Sequence, residues 1–322
     1  QVFRFAIPAL VSGNGVLLKH APQVPGCALA LESLFNQNPN MPTGLFQSLL
    51  ISHENTKEVI QHPLVQGVSF TGSDGGGKEV AKLAGEALKK VVLELGGSDP
   101  YLILEDADWK LAAHTCVQAR MLNAGQSCIS PKRLIVHKDL KGPFEEKLRD
   151  ILSTYRCGDP GDERTLLGPL ASREALKRVR VQVKHCVKEG GRVLLGGRAM
   201  EGERGFYYPP TLITDITPQM GIFYQEVFGP VVLVIEAEND EHALQLANMS
   251  PYGLGAGIFS RDVEKAERLA CQGLQAGLVF INRCVVSDPR LPFGGVKQSG
   301  FGNELGQAGL KEFVNLKVIS LE

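Results

Sequence analysis

The sequence lacks several features that would assign it to a specialised class of protein. No apolar run approaches the ~20 residues that a membrane helix needs. There are 34 Lys and Arg against 35 Asp and Glu, so no excess of positive charge attracts nucleic acid or an anionic membrane. Internal repeats and low-complexity linkers are also missing. We therefore expect a globular protein with neither a nucleic-acid nor a membrane partner.

Cysteine and histidine are present, but not in the spacings that bind a metal or form a disulfide framework. The seven cysteines are odd in number and widely spaced, and no two form a Cys-x-x-Cys pair. The histidines show no metal-ligand spacing either. These absences predict free thiols, no metal site and a reducing, cytoplasmic location.

Glycine is abundant, with 36 residues gathered in short clusters among alternating strand-like and helix-like segments. Residues 16–19, 68–71 and 91–95 are apolar and predict strands. Between them, residues 22–35 and 78–90 have the apolar spacing of helices. The alternation continues through the second half of the chain. It predicts a parallel sheet with crossover helices, and therefore an α/β fold.

A glycine-rich turn over residues 72–77 lies between a predicted strand and a predicted helix. Backbone amides and a helix N-terminus at such a place attract phosphate. The stretch GSDGGGK matches the P-loop spacing, but Glu79 stands where that motif needs Ser or Thr to hold magnesium. A Rossmann-like dinucleotide turn has no such requirement and is favoured. A turn without any ligand remains the alternative.

Two side chains are candidates for covalent and acid–base chemistry. Cys128 follows a predicted helix in a glycine-containing loop, and a thiol becomes a nucleophile only when the thiolate is favoured. We find no basic neighbour in the local sequence, so the fold or a cofactor has to favour the thiolate. Glu94 ends an apolar strand, where a carboxylate is costly unless it is paired or open to a cleft. The structural alternatives are a buried, inert cysteine and a paired or capping glutamate.

Five motifs in one order resemble the aldehyde dehydrogenase superfamily, and the resemblance runs over the whole chain. They are FTGS at 70–73, LELGG at 93–97, GQSC at 125–128, EVFGP at 226–230 and PFGGVKQSGFGNELG at 292–306. The resemblance implies an aldehyde dehydrogenase fold. Its expected parts are a partial Rossmann-like NAD(P)-binding domain (1–97), an α/β catalytic domain (98–298) and a C-terminal oligomerisation arm (299–322). The tail at residues 313–321 is β-prone, and in the family this arm pairs with the sheet of another subunit. The resemblance therefore implies a homo-oligomer, a dimer or tetramer.

The resemblance also implies a mechanism and a cofactor site. Cys128 attacks the aldehyde carbon, and its amide donates to the oxyanion. Glu94 activates the water that hydrolyses the thioester. Pro22 replaces a glutamate that binds both ribose hydroxyls in many NAD-preferring relatives, so the expected cofactor is NADP or NAD. The residues implied to bind it are Lys19, Pro22, Thr71, Gly72, Ser73, Gly77, Leu95, Glu226 and Phe228.

The segment NRCVVSDPR at 282–290 is similar to bacterial succinate-semialdehyde dehydrogenases, which implies succinate semialdehyde as the small-molecule substrate. Ser287 matches a serine that helps to hold the substrate carboxylate in those relatives. Some relatives place an arginine where this chain has Leu122, so Arg120, Arg283 or Arg290 would have to serve. Another aldehyde is the alternative substrate.

The resemblance implies an N-terminal truncation, because full-length relatives are longer than this chain. Their Pro-Trp-Asn-Phe-Pro motif, whose Asn is a second oxyanion donor, falls upstream of Gln1. Two alternatives from other classes stay open. One is a P-loop nucleotide hydrolase, against which Glu79 argues, and the other is an inactive remnant with a binding or structural role.

Overall fold

A computed structural model describes residues 1–198, 200 and 205–322. Within these residues the α-helices are α1 (Val2–Val11), α2 (Pro25–Asn36), α3 (Thr56–Gln61), α4 (Asp74–Glu86), α5 (Trp109–Met121), α6 (Lys138–Ser153), α7 (Arg173–Lys188), α8 (Asp240–Asn248), α9 (Val263–Gln272) and α10 (Gly306–Glu312). The strands are β1 (Val16–Leu18), β2 (Phe46–Ser48), β3 (Gly67–Thr71), β4 (Lys90–Glu94), β5 (Pro100–Ile103), β6 (Arg133–His137), β7 (Arg192–Leu195), β8 (Thr211–Thr214), β9 (Val231–Ala237), β10 (Tyr252–Gly253), β11 (Gly255–Phe259), β12 (Leu278–Ile281), β13 (Val296–Lys297) and β14 (Gly300–Phe301). Short 3₁₀ helices cover Leu122–Gly125 and Gly221–Tyr224.

The chain divides into two compact units. The first comprises Gln1–Leu95, Ser287–Gly294 and Gly300–Glu322, and the second comprises Gly96–Val286 and Gly295–Ser299. The C-terminal residues belong to the first unit because β14 pairs antiparallel with β4. The sequence instead divides at residues 97 and 298, and it assigns 287–294 to the catalytic domain. The cofactor and catalytic roles of these domains stay predictions.

The first unit is built on two small sheets with separate apolar cores. In one sheet β3 and β4 are parallel and α4 connects them, as expected for a crossover unit. Its core consists of the buried side chains of Ile60, Val80, Ala84, Leu93 and Leu95. In the other sheet β1 and β2 are parallel. Its core also takes in α1 and α2, through Val2, Ala6, Ala9, Val16, Leu18, Ala28, Phe35 and Phe46.

The second unit is built on a seven-stranded sheet of order β12-β11-β5-β6-β9-β8-β7. Neighbouring strands are parallel except at β7, which pairs antiparallel with β8. Every residue of β5, β6 and β11 is buried, as expected for strands covered on both faces. The predicted α/β fold class is therefore confirmed.

The β-prone tail forms no strand with the described residues of its own chain. Residues 314–322 have no regular secondary structure, and Leu316, Val318, Ile319 and Leu321 are exposed. A single strand needs a hydrogen-bonded neighbour, and within the described residues of this one chain the tail has none in register.

No described helix is both long enough and apolar enough to span a membrane.

Candidate active site

The glycine-rich turn begins at the strand end that also carries Glu94. Thr71 ends β3 and lies in register with Glu94, which ends β4. The Gly72 amide donates to the Glu94 carbonyl over 3.0 Å. A side chain on Gly72 would displace the Phe70 ring, because its Cβ would lie 2.5 Å from that ring. The FTGS motif therefore turns the chain directly from β3 into α4 at the level of Glu94.

The start of α4 suits the pyrophosphate of a dinucleotide. The Ser73 hydroxyl caps the helix by accepting from the Gly76 amide over 3.3 Å. A Cβ on Gly75 would meet open space, so this turn of the helix is accessible. A Cβ on Gly77 would lie 2.4 Å from a Leu95 methyl group, so glycine lets the helix approach β4 closely. Open amides at the positive end of a helix fit an anionic group.

Lys19 and Pro22 lie just after β1, as the sequence places them. The Lys19 ammonium is partly buried and donates to the His20 carbonyl over 3.3 Å. Pro22 lies in an exposed turn. The turn at residues 21–23 contains no carboxylate, so a charge in this turn would have to come from the side chain at position 22.

Glu94 is a buried carboxyl whose charged form is disfavoured. Its side chain is 2% exposed, and neither carboxylate oxygen has a hydrogen-bond partner among the described residues. Burial raises its pKa to about 8, the negative charge of Glu304 adds to the rise, and Arg4 opposes it. A carboxyl with a pKa near the working pH can take up and release a proton. Glu94 therefore has the properties of a general base.

Arg4 and Glu304 are functional candidates that the sequence analysis missed. The Arg4 Nε lies 2.9 Å from the Glu304 Oε2, and the Arg4 guanidinium lies 4.2 Å from the centre of the Phe293 ring. Burial raises the pKa of Glu304, and Arg4 opposes that rise. A lone charge inside the apolar run QVFRFAIPAL was the available signal for Arg4. These two residues set the charge around Glu94.

A cavity of about 620 Å³ lies in the first unit and contains two of the predicted substrate residues, Ser287 and Arg290. It is also lined by Phe3, Arg4 and Ile7 of α1. Arg290 is exposed, and its Nη2 lies 2.5 Å from the Asp288 carboxylate. The cavity is therefore lined by apolar side chains, a serine and two arginines, each of which pairs with a carboxylate, Arg4 with Glu304 and Arg290 with Asp288. Such a lining suits a short aliphatic chain that ends in a carboxylate.

Cys128 lies in a partly exposed turn of the second unit, after an unusual stretch of backbone. Helix α5 ends at Met121, and Asn123, Ala124 and Gly125 after it all have positive φ. Only glycine fits at position 125, because a Cβ there would lie 2.2 Å from the Gly229 carbonyl oxygen. The GQSC and EVFGP motifs thus contact each other through their glycines.

Glu226 of EVFGP lies beside the same turn. Its Oε1 accepts from the Gly97 amide over 3.0 Å and lies 3.6 Å from the Lys132 Nζ. A Cβ on Gly97 would lie 2.6 Å from the Cys128 carbonyl oxygen. Three motifs that are distant in sequence therefore meet in the second unit. Phe228 is partly buried two residues beyond Glu226.

Arg120 requires a correction. Its side chain is fully buried, and its guanidinium donates to the carbonyls of Val231 (2.8 Å), Val227 (2.7 Å) and Gly125 (3.1 Å). It also donates to the Ser130 hydroxyl. Burial lowers its pKa to about 9. With four hydrogen bonds to the protein and no exposed surface, Arg120 supports the Cys128 turn and is not placed to bind a substrate.

The α/β scaffold and the glycine-rich turn between β3 and α4 are the framework of a dinucleotide-dependent enzyme. The chain belongs to the aldehyde dehydrogenase family, whose model matches residues 1–319. The resemblance drawn from the five motifs is confirmed, and the P-loop alternative is thereby set aside.

Several proteins that this chain resembles are named as succinate-semialdehyde dehydrogenases. The chain is 46% identical over 319 residues to a probable succinate-semialdehyde dehydrogenase [NADP(+)] of Synechocystis, covering 99% of this chain and 70% of the relative. It is 45% identical to one from Deinococcus radiodurans, with 99% and 66% covered. Among solved structures, succinic semialdehyde dehydrogenase from Streptococcus pyogenes in complex with NADP+ has a TM-score of 0.95 and 39% identity, with 99% and 70% covered.

Proposed function

We propose that this chain carries the site for oxidising succinate semialdehyde to succinate with NADP+, and with NAD+ as a second cofactor. The observation that carries the proposal is the cavity lined by Ser287, Arg290 and Arg4. Arg4 also acts electrostatically on Glu94, so this cavity and the candidate base share one charged group. The relatives named for this substrate and for NADP(+) support the same assignment.

In the proposed reaction Cys128 is the nucleophile. Its thiolate attacks the aldehyde carbon, so a carbon–sulfur bond forms and the carbonyl oxygen becomes an oxyanion. The Cys128 amide donates to that oxyanion. Loss of a hydride from the former aldehyde carbon then leaves a thioester on the sulfur. Covalent attachment divides one difficult oxidation into two easier steps.

The cofactor supplies the hydride acceptor when it is bound. The start of α4, with the Ser73 cap and the open face at Gly75, would hold the pyrophosphate. Lys19 would hold the adenosine ribose, and Glu226 the nicotinamide ribose. Thr71, Gly72, Gly77 and Leu95 would shape the turn, and Phe228 would pack near the nicotinamide. The pyrophosphate assignment is supported by the start of α4, and the other assignments are supported by the match to the family.

Glu94 completes the proposed cycle. In its ionised form it takes a proton from water, and the hydroxide attacks the thioester carbon. The carbon–sulfur bond breaks, the Cys128 thiolate is regenerated and the carboxylate product is released. Glu94 suits this task because burial and the charge of Glu304 keep its proton affinity high.

We also propose that the tail joins another subunit. The support is the exposure of Leu316, Val318, Ile319 and Leu321, whose apolar side chains would be covered by a second copy of the chain. The cytoplasmic location stays a prediction.

A steady-state assay tests the proposed function. Purified protein is mixed with NADP+ or NAD+ and with succinate semialdehyde or butanal, and reduced cofactor is followed by its absorbance. We expect turnover with both aldehydes and a kcat/KM on the order of 10-fold or more higher for the aldehyde that carries a carboxylate, because a charge-assisted hydrogen bond is lost with butanal. A folded sample without turnover on either aldehyde would favour the inactive-remnant alternative.

The cofactor preference depends on the charge at position 22. Pro22→Glu places a carboxylate in an exposed turn, where it repels a 2′-phosphate. We expect the ratio of kcat/KM for NADP+ to that for NAD+ to fall by roughly 10-fold. Pro22→Gln is the neutral control, and it should leave the ratio within about 2-fold. An equal fall in both variants would show that the backbone, rather than the charge, sets the preference.

A further inference from the structure

Lys132 lies four residues beyond the nucleophile candidate and is completely buried. Its Nζ donates to the carbonyl of Cys128 over 2.7 Å and to that of Ser127 over 2.8 Å. The same Nζ lies 3.6 Å from the Glu226 Oε1. A lysine ammonium has three donors, and here it faces three acceptors. This arrangement corrects the expectation that no basic residue lies near Cys128.

The charges around Lys132 favour the ammonium in spite of its burial. Burial lowers the pKa of Lys132, whereas Glu226, Asp99 and the Cys128 thiolate oppose that fall and Arg120 adds to it. Asp99 is also buried, and desolvation raises its pKa to about 7 while Lys132 draws it down. Glu226 and two carbonyls contact this buried cation, and the charge of Asp99 also favours it, as a buried charge requires.

We propose that Lys132 is a positioning residue that fixes the Cys128 turn and the Glu226 carboxylate relative to each other. The proposal rests on the proposed function, since it takes Cys128 as the nucleophile and Glu226 as the ribose ligand. Because one ammonium contacts both groups, the Lys132 side chain sets the distance between them.

The physical consequence is a link between nucleophile and cofactor. The Cys128 carbonyl belongs to the residue whose amide is proposed to donate to the oxyanion, so a shift of that carbonyl reorients the turn. Glu226 is held from two sides, by the Gly97 amide and by Lys132. Removal of the ammonium leaves the Glu226 carboxylate with the Gly97 amide and takes the lysine donor from the Cys128 carbonyl, whereas the Ser127 carbonyl still accepts from the Ser130 hydroxyl. Misplacement by about 1 Å can cost on the order of 10²-fold in rate.

Lys132→Met tests the inference, because it keeps an unbranched stem and removes the ammonium. Two quantities are measured: the rate of Cys128 alkylation by iodoacetamide without cofactor, read by peptide mass spectrometry, and the kcat and KM for NADP+. We expect alkylation and kcat, each per folded site, to fall by roughly 10- to 100-fold, and the KM for NADP+ to rise by roughly 3- to 10-fold. Lys132→Gln keeps a neutral donor and serves where Lys132→Met does not fold. It should recover part of each loss.

Lys141→Met is the matched control. Lys141 also lies in the second unit and pairs with Asp215 at 2.9 Å and Glu236 at 3.1 Å, away from Cys128. It should keep alkylation and the KM for NADP+ within about 2-fold of the unchanged protein. If Lys132→Met lowers the melting temperature but leaves alkylation per folded site and KM unchanged, Lys132 is only structural and the inference fails.

A double-mutant cycle separates this inference from the proposed function. Glu226→Gln should raise the KM for NADP+ less in the Lys132→Met background than in the unchanged protein, because the contact is already lost. Additive effects would overturn the coupling. Failure of the unchanged protein to oxidise any aldehyde would instead overturn the proposed function, while alkylation and NADP+ binding would still report on Lys132.

Discussion

Cys128→Ser is expected to lower aldehyde oxidation on the order of 10⁴-fold or more, because loss of a nucleophile removes the covalent route. The hydroxyl of serine is a far weaker nucleophile than a thiolate at neutral pH. The variant should still bind NADP+, since no cofactor ligand is changed. The measurement is reduced cofactor formed per site, with NADP+ binding followed separately by titration.

Cys271→Ser is the control for this prediction. Cys271 is an exposed thiol of the same unit, so its loss should leave turnover within about 2-fold. The assignment of Cys128 would be wrong if Cys128→Ser turned over at a rate close to that of the control. It would also be wrong if a saturating aldehyde failed to protect Cys128 from iodoacetamide.

Glu94→Gln is expected to stop the cycle at the thioester rather than at the first attack. Loss of a general base costs roughly 10²- to 10⁴-fold in the step that it serves. The first turnover should still release about one reduced cofactor per site, followed by a slow steady state. Rapid-mixing absorbance measures this burst, and mass spectrometry measures the acyl adduct on Cys128.

The pH dependence gives Glu94 a second test. Its pKa is raised from the usual 4.5 to about 8, so the ionised base forms as the pH rises through about 8, and the rate of thioester hydrolysis, measured as the steady state after the burst, should increase over that range. Its stability effect has the opposite direction. A raised carboxyl pKa contributes stability that is fully present below pH 4.5 and is lost as the pH rises through about 8. The melting temperature of Glu94→Gln minus that of the unchanged protein should therefore be larger at pH 9 than at pH 5.

Glu86→Gln, an exposed change at the end of α4, is the control for Glu94. It should keep the burst, the steady state and the pH dependence. A Glu94→Gln variant that lost the burst as well would place Glu94 in the first chemical step. A rising limb that persisted unchanged in Glu94→Gln would assign the titration to another group.

The motifs were predictable because each is local. FTGS, GQSC and EVFGP are short runs in which glycine and its neighbours fix a turn, and the structure shows the reason at Gly125, whose Cβ would meet the Gly229 carbonyl. Arg120 was not predictable in the same way. An arginine near the nucleophile suits a substrate carboxylate equally well, and only its complete burial and its four protein acceptors assign it to the framework.

The sequence by itself determined the α/β class, the family and the candidates Cys128 and Glu94, because strand ends, turns and motifs are encoded over a few neighbouring residues. Tertiary structure alone decided the charge around them. Arg4 and Glu304 lie 300 residues apart in the chain, yet they form an ion pair that acts on Glu94. Lys132 became a candidate only when its ammonium was found to contact the Cys128 turn and Glu226. Burial and long-range contacts set the free energy of ionising a side chain, and neither can be predicted from the neighbouring residues in the sequence.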